Sequence, residues 1–201
     1  MRVLVACEYS GRVRDAFRAK GHDAWSCDIL PTDSDPEYHF QGDVLGHLVE
    51  GWDMMIAHPP CTYLSCAGSM WWNDPGRGEK REQALDFVRL LLSAPIPRIA
   101  LENPQGAIGS NIRKADQYIQ PYQFGDPYSK RTGLWLKNLP PLEPTNEVEP
   151  IAAWIRTGAG LKRHKAGIGI PSGVARDKRE RSLTFPGIAK AMAEQWGSDD
   201  I

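Results

Sequence analysis

Cys61 closes an apolar run, Asp53-Met-Met-Ile-Ala-His-Pro-Pro-Cys61, and a second run, Arg98-Ile-Ala-Leu, closes in Glu102-Asn103-Pro104. Proline has no N–H to give to a central ladder, so each run is predicted to end where its prolines begin. If the two runs are parallel neighbours, a thiol and a carboxyl reach the same edge of one sheet. Ligands of open α/β sheets collect at that edge, beyond the carboxyl ends of the strands. A nucleophile opposite an acid there points to covalent chemistry on a flat polar ring.

The elements that must position these groups follow from periodicity. Arg2-Val-Leu-Val-Ala-Cys7 reads as a first strand. Gly11 opens a helical spacing of Val13, Ala16 and Phe17 that closes at Lys20-Gly21. Asp23-Ala-Trp-Ser-Cys-Asp28 reads as a second strand, and Gly42-Asp43-Val44 as a turn before a short helix from Leu45 to Glu50. The strand delivering Cys61 comes next. A polar, glycine-rich loop from Thr62 to Gly78 leads into a helix from about Glu79 to Ser93, with Ala84, Leu85, Val88, Leu91 and Leu92 facing inward. Thr132-Gly-Leu-Trp-Leu136 reads as a late strand, and Gly187 to Trp196 as a closing amphipathic helix after Pro186. Strand and helix alternating in this way predict an α/β fold with a doubly wound, mostly parallel sheet.

The 201 residues suit one domain, and a hydrophobic share of 41% is enough for a core. The net charge of −1 excludes a molecule that binds polyanions with its whole surface. A local asymmetry exists, however. Between Ile151 and Arg181, Arg156, Lys162, Arg163, Lys165, Arg176, Lys178, Arg179 and Arg181 face only Asp177 and Glu180. Such a block reads as a phosphate-facing surface or as a solvated loop. Cys7, Cys27, Cys61 and Cys66 form no C-x-x-C pair and no zinc spacing, so no metal is expected. A Met-Arg start without a long apolar stretch predicts neither signal peptide nor membrane span, and hence a cytoplasmic protein with reduced thiols.

Taken in order, these motifs resemble those of the cytosine-5 DNA methyltransferases, in a compact version of the phage-encoded kind. Pro60-Cys61 matches the family's proline-cysteine nucleophile and Glu102-Asn103 its Glu-Asn pair. The resemblance runs from Arg2 to about Leu142 and resumes in the last twenty residues. It implies a Rossmann-like methyltransferase core over residues 1–142, a reduced basic recognition region over 143–183, and a helix over 184–201 returning to the core. It implies S-adenosylmethionine as cofactor and DNA, most simply duplex DNA, as partner.

The chemistry of that family accounts for the residue types. Carbon 5 of cytosine is a poor nucleophile until a thiolate adds at carbon 6 and turns the ring into an enamine. A carboxyl holding ring nitrogen 3 and the exocyclic amine stabilises the charge that develops. The resemblance makes Cys61 the nucleophile and Glu102 the base-holding acid, with Asn103 beside it. Phe124-Gly-Asp-Pro-Tyr-Ser-Lys-Arg-Thr132 resembles the family's Gln-x-Arg-x-Arg region, which places Lys130 or Arg131 at the cytosine carbonyl. Both basic side chains could equally meet phosphates or solvent.

Cofactor positions implied by the resemblance begin in the first turn, at Glu8, Tyr9, Ser10 and Gly11. They continue at Asp28 and Ile29 after the second strand, at Asp43 and Val44, and at Pro59. Asp28 stands where doubly wound sheets hold ribose hydroxyls. Asp43 resembles the residue that reads the adenine amine, and Tyr9 could stack on adenine. The first turn departs from the family. Val13 and Arg14 stand where glycines normally let the backbone approach the cofactor. Trp71 and Trp72, in the loop after Cys61, could close on an extruded base or belong to the core. Thr184-Phe-Pro-Gly-Ile188 resembles the family's closing motif.

About forty residues separate Leu142 from Leu183, fewer than the ~50 of a small independent domain. A full recognition domain is therefore absent, and a short or relaxed sequence preference is expected. Two other readings stay open: methylation of a free pyrimidine nucleotide such as dCMP, and a non-catalytic nucleic-acid or cofactor-binding protein on the same scaffold.

Overall fold

The structure is a computed structural model describing residues 1–66, 74–151, 154–157, 160–163 and 182–198. Seven strands form one sheet: β1 (Arg2–Ala6), β2 (Asp23–Asp28), β3 (His39–Gln41), β4 (Met54–Ala57), β5 (Arg98–Pro104), β6 (Gln117–Ile119) and β7 (Thr132–Lys137). Their spatial order is β3-β2-β1-β4-β5-β7-β6. The first five strands are parallel, while β7 runs antiparallel to both β5 and β6. Among the described residues the helices are α1 (Arg12–Arg18), α2 (Arg77–Leu92), α3 (Ala107–Asn111) and α4 (Pro186–Trp196). This is the doubly wound, mostly parallel Rossmann-like sheet that the alternating pattern predicts. A separate antiparallel pair, β8 (Trp154–Thr157) and β9 (Gly160–Arg163), follows β7.

Side chains alternate between the two faces of each strand, so each apolar run feeds two cores. Val3, Val5, Met54, Ile56 and Ala100 join Val13 and Phe17 of α1 and Met192 and Trp196 of α4 on one face. Leu4, Ala6, Met55, Ala57 and Leu101 join Leu85, Val88 and Leu91 of α2 and Ile108 of α3 on the other. The closing helix is pinned to the core: Trp196 donates its indole N–H to the Pro140 carbonyl at 3.0 Å.

Several boundaries differ from the sequence expectation. β5 continues through Pro104 because its extension pairs with β7, Pro104 lying opposite Thr132 at the ladder's end. The run before Cys61 is strand only to Ala57. The helix expected from Leu45 to Glu50 is a short 3-10 turn, Val44–His47, capped by the Asp43 carboxylate at the Leu45 N–H (3.0 Å). Trp71 and Trp72 lie outside the described residues, as do Lys165, Arg176, Lys178, Arg179 and Arg181 of the basic block.

Candidate active site

The carboxyl edge around β4 and β5 is laced together by backbone. The chain leaving β4 turns at Pro60, and Cys61–Tyr63 form a single 3-10 turn in which the Cys61 carbonyl accepts from Leu64 and Ser65. Ser65 then bridges Gly106, the Cys66 N–H reaches the Gln105 carbonyl at 3.0 Å, and the Ala107 N–H reaches Leu64 at 2.7 Å. Gly106 permits this approach: a Cβ there would stand 1.8 Å from the Leu64 carbonyl oxygen. Asn103, fully buried, donates its side-chain N–H to the Pro59 carbonyl at 2.8 Å. The segment bearing Cys61 is thereby held against the end of β5.

Register decides what stands beside Glu102. Ala57 pairs with Leu101, so the next residues, His58 and Glu102, fall side by side on the same face. Nδ1 of His58 lies 3.1 Å from Oε2 of Glu102, with the two side chains 9% and 15% exposed. Burial pushes the Glu102 carboxyl up. The hydrogen bond from His58, the charges of Lys130 and His58 and a hydrogen bond from Thr132 outweigh it, holding the group below the ordinary carboxylate range. Ionised Glu102 only accepts, so Nδ1 of His58 carries the shared proton. Nε2 of His58 and Oδ1 of Asn103 are buried with no hydrogen-bond partner among the described residues.

Sequence reasoning overlooked His58. It was legible once the two runs are aligned as parallel neighbours ending at Ala57 and Leu101. Of the two basic candidates, Lys130 is the one whose charge reaches Glu102. Arg131 is exposed and lies over the Tyr118 ring at 4.1 Å.

A second cluster lies beyond β1 and β2. Cys7 takes φ 59, a left-handed turn uncommon outside glycine, and Glu8 follows it, buried. The Glu8 carboxylate accepts from the N–H groups of Val13 (2.7 Å) and Arg14 (3.2 Å) and from the Ser10 hydroxyl (3.2 Å). Glu8 thus satisfies the orphan amides at the start of α1, and its side chain is spent on the turn. Gly11, at φ 73, supplies the left-handed residue that starts this helix.

The bulky residues of the first turn do not crowd that edge, because helical phase turns both inward. Val13 joins the α1/α4 core. Arg14, completely buried, donates to Asp15 (2.7 Å), Ser26 (3.2 Å) and the Asp35 carbonyl (3.0 Å). Tyr9 is buried, its hydroxyl 3.2 Å from that of Ser182 and its carbonyl accepting from the Asp33 N–H.

The Gly42 N–H reaches the Asp28 carbonyl at 2.8 Å, which brings Asp28 and Asp43 to one edge, and both acids act on the thiols of Cys7 and Cys27. Burial, then Asp28 and Asp43 among other acids, pushes Cys27 up to about 12. Burial, Asp28, Cys27 and Asp43 push Cys7 up as well. Asp28 uses Oδ1 for the Leu30 N–H (2.9 Å), as Asp43 does for Leu45. Ile29, 76% exposed, adjoins Asp28, whereas Val44 is buried beneath the edge and Pro59 lies buried at the end of β4.

Among the described residues no group of His, Cys, Asp and Glu could hold a metal ion, and no helix is long and apolar enough to cross a membrane. No family model and no curated protein matches the chain. Among solved structures, it is similar to an Escherichia coli protein provisionally described as a DNA modification methyltransferase encoded within a prophage. The identity is 16% and the TM-score 0.44, over 68% of this chain. The chain spans less than half (46%) of that protein's length.

Proposed function

We propose that this protein is a DNA cytosine-5 methyltransferase that works through a covalent Cys61 adduct, with a short or relaxed sequence preference. The observation that carries the reading is the single edge shared by the Cys61 turn and Glu102, held by the Asn103–Pro59 hydrogen bond and the Ser65–Gly106 bridge. In this reading Cys61 adds to carbon 6 while Glu102 holds nitrogen 3 and the exocyclic amine. Asn103 positions the turn, and Lys130 stands nearer the base than Arg131. Residues 1–142 serve as the catalytic core, 143–183 as a reduced grip on DNA phosphates, and 184–201 as the helix returning to the core.

The donor set beyond β1 to β3 suits S-adenosylmethionine, which supplies the methyl group when bound. Asp28 and Asp43 each keep Oδ2 outside their turn bond, and carboxylate oxygens accept from ribose hydroxyls and from an adenine amine. Ile29 offers an exposed apolar surface beside them, and Val44 shapes the floor below. Gly11 and Ser10 form the turn facing the cofactor, and Glu8 maintains it. Tyr9 is packed toward Ser182 and would line the wall.

The deciding experiment offers duplex DNA, single-stranded DNA and dCMP, each carrying 5-fluorocytosine, together with S-adenosylmethionine. A covalent adduct on duplex DNA that vanishes in Cys61→Ala is the expected result. An adduct on dCMP alone would move the substrate to the free nucleotide. No adduct on any of the three would overturn the covalent mechanism.

A further inference from the structure

His58 is a titratable side chain beside Glu102 that nucleophile-plus-acid chemistry leaves unused. Its Nδ1 lies 3.1 Å from Glu102, and both side chains are largely shielded. An ionised carboxylate can accept from the exocyclic amine of cytosine but has no hydrogen for nitrogen 3, itself an acceptor. When sulfur bonds to carbon 6, the C5=C6 pair moves into C4=C5 and the C4=N3 pair becomes a lone pair on nitrogen 3. That nitrogen then needs a proton.

Among the described residues, the groups facing Glu102 are His58 from the turn after β4, Lys130 from the segment entering β7, and Thr132 at the start of β7. A threonine hydroxyl is no useful acid. A lysine ordinarily keeps its proton to about pH 10, whereas an imidazole exchanges one near neutrality.

We propose that His58 is a positioning residue that acts through Glu102: it holds the carboxyl group and passes it the proton that nitrogen 3 takes up as Cys61 adds to carbon 6. The proposal rests on the cytosine reading above. His58 enters as the imidazolium and is left as neutral imidazole, while Glu102 relays the proton and remains a carboxylate. After methyl transfer, carbon 5 gives its proton to solvent water and the sulfur departs with its bonding pair. Nitrogen 3 then returns its proton through Glu102 to His58, so turnover leaves the pair unchanged.

The test compares wild type, His58→Asn and His58→Gln by adduct formation with 5-fluorocytosine DNA and S-adenosylmethionine, from about pH 5.5 to about pH 9. Asparagine keeps an N–H for Glu102 but carries no exchangeable charge. The wild-type rate is expected to fall on both sides of an optimum. His58→Asn is expected to lose tenfold or more in rate, and its rate no longer to fall on the alkaline side. Nitrogen-15 spectra of wild type and Glu102→Gln give a readout independent of activity, and the wild-type spectra alone are independent of variant folding. An imidazole that titrates across this range and responds to Glu102→Gln is expected. An imidazole fixed in one form throughout overturns the proposal, as does a His58→Asn rate and profile equal to wild type, and both leave the cytosine reading standing. A wild type that forms no adduct with any cytosine substrate overturns the cytosine reading and the proton route together.

Discussion

Asn103 reaches across from β5 to the Pro59 carbonyl at 2.8 Å, and this contact ties the acid-bearing strand to the turn bearing the thiol. Asn103→Ala leaves that carbonyl without its donor inside the protein. A loss of about 1–3 kcal/mol is expected, since a buried acceptor stripped of its partner pays its desolvation cost. Thermal unfolding should register a drop of about 2–4 °C per kcal/mol for a chain of this size. Adduct formation should slow further than the melting shift explains, because the Cys61 turn is released.

Gly106→Ala tests the same junction through sterics. The new methyl would stand 1.8 Å from the Leu64 carbonyl oxygen, so backbone must move. Overpacking of this kind costs about 1–3 kcal/mol or more. Denaturant titration should show the lower midpoint with an unchanged slope.

The four thiols divide by environment. Cys27 is buried and pushed up to about 12, and Cys7 is pushed up too, while Cys66 is exposed and Cys61 half-exposed. Only the thiolate alkylates at an appreciable rate. Iodoacetamide at about pH 8 is expected to label Cys61 and Cys66 and to spare Cys7 and Cys27 in the folded protein, as read by peptide mass mapping.

Glu102 makes stability depend on pH with a definite sign. Its carboxyl is held below the ordinary value, so the unfolded chain takes up a proton first as pH falls. Its stabilising contribution is therefore present above the unfolded value of about 4.3. It is lost as pH falls from there through the lower folded value. Glu102→Gln should flatten the melting temperature profile over that acid window.

Much of the scaffold was legible because apolar runs and breakers are local signals. The bounds of β2 were read to the residue, and α2 differs by two residues at its start and one at its end. β3 and β6 were missed because three residues carry no measurable period. The reversed insertion of β7 between β5 and β6 is a non-local choice that spacing cannot reveal. At the candidate site, Cys61, Glu102 and Asn103 announce themselves through their prolines, whereas His58 acquires meaning only from the pairing of β4 with β5. Val13 and Arg14 were read as obstacles because their types were visible and their direction was not.

Arg14→Ala should cost about 1–3 kcal/mol, chiefly because the Ser26 hydroxyl and the Asp35 carbonyl lose a buried donor, the ion pair with half-exposed Asp15 adding little. The guanidinium also fastens the segment around Asp35 to β2, through Ser26. A small molecule settling on this rim would meet a wall braced before its arrival. Little chain entropy would be surrendered on docking, and calorimetry should then find a modest heat-capacity change rather than the large one that accompanies coupled folding.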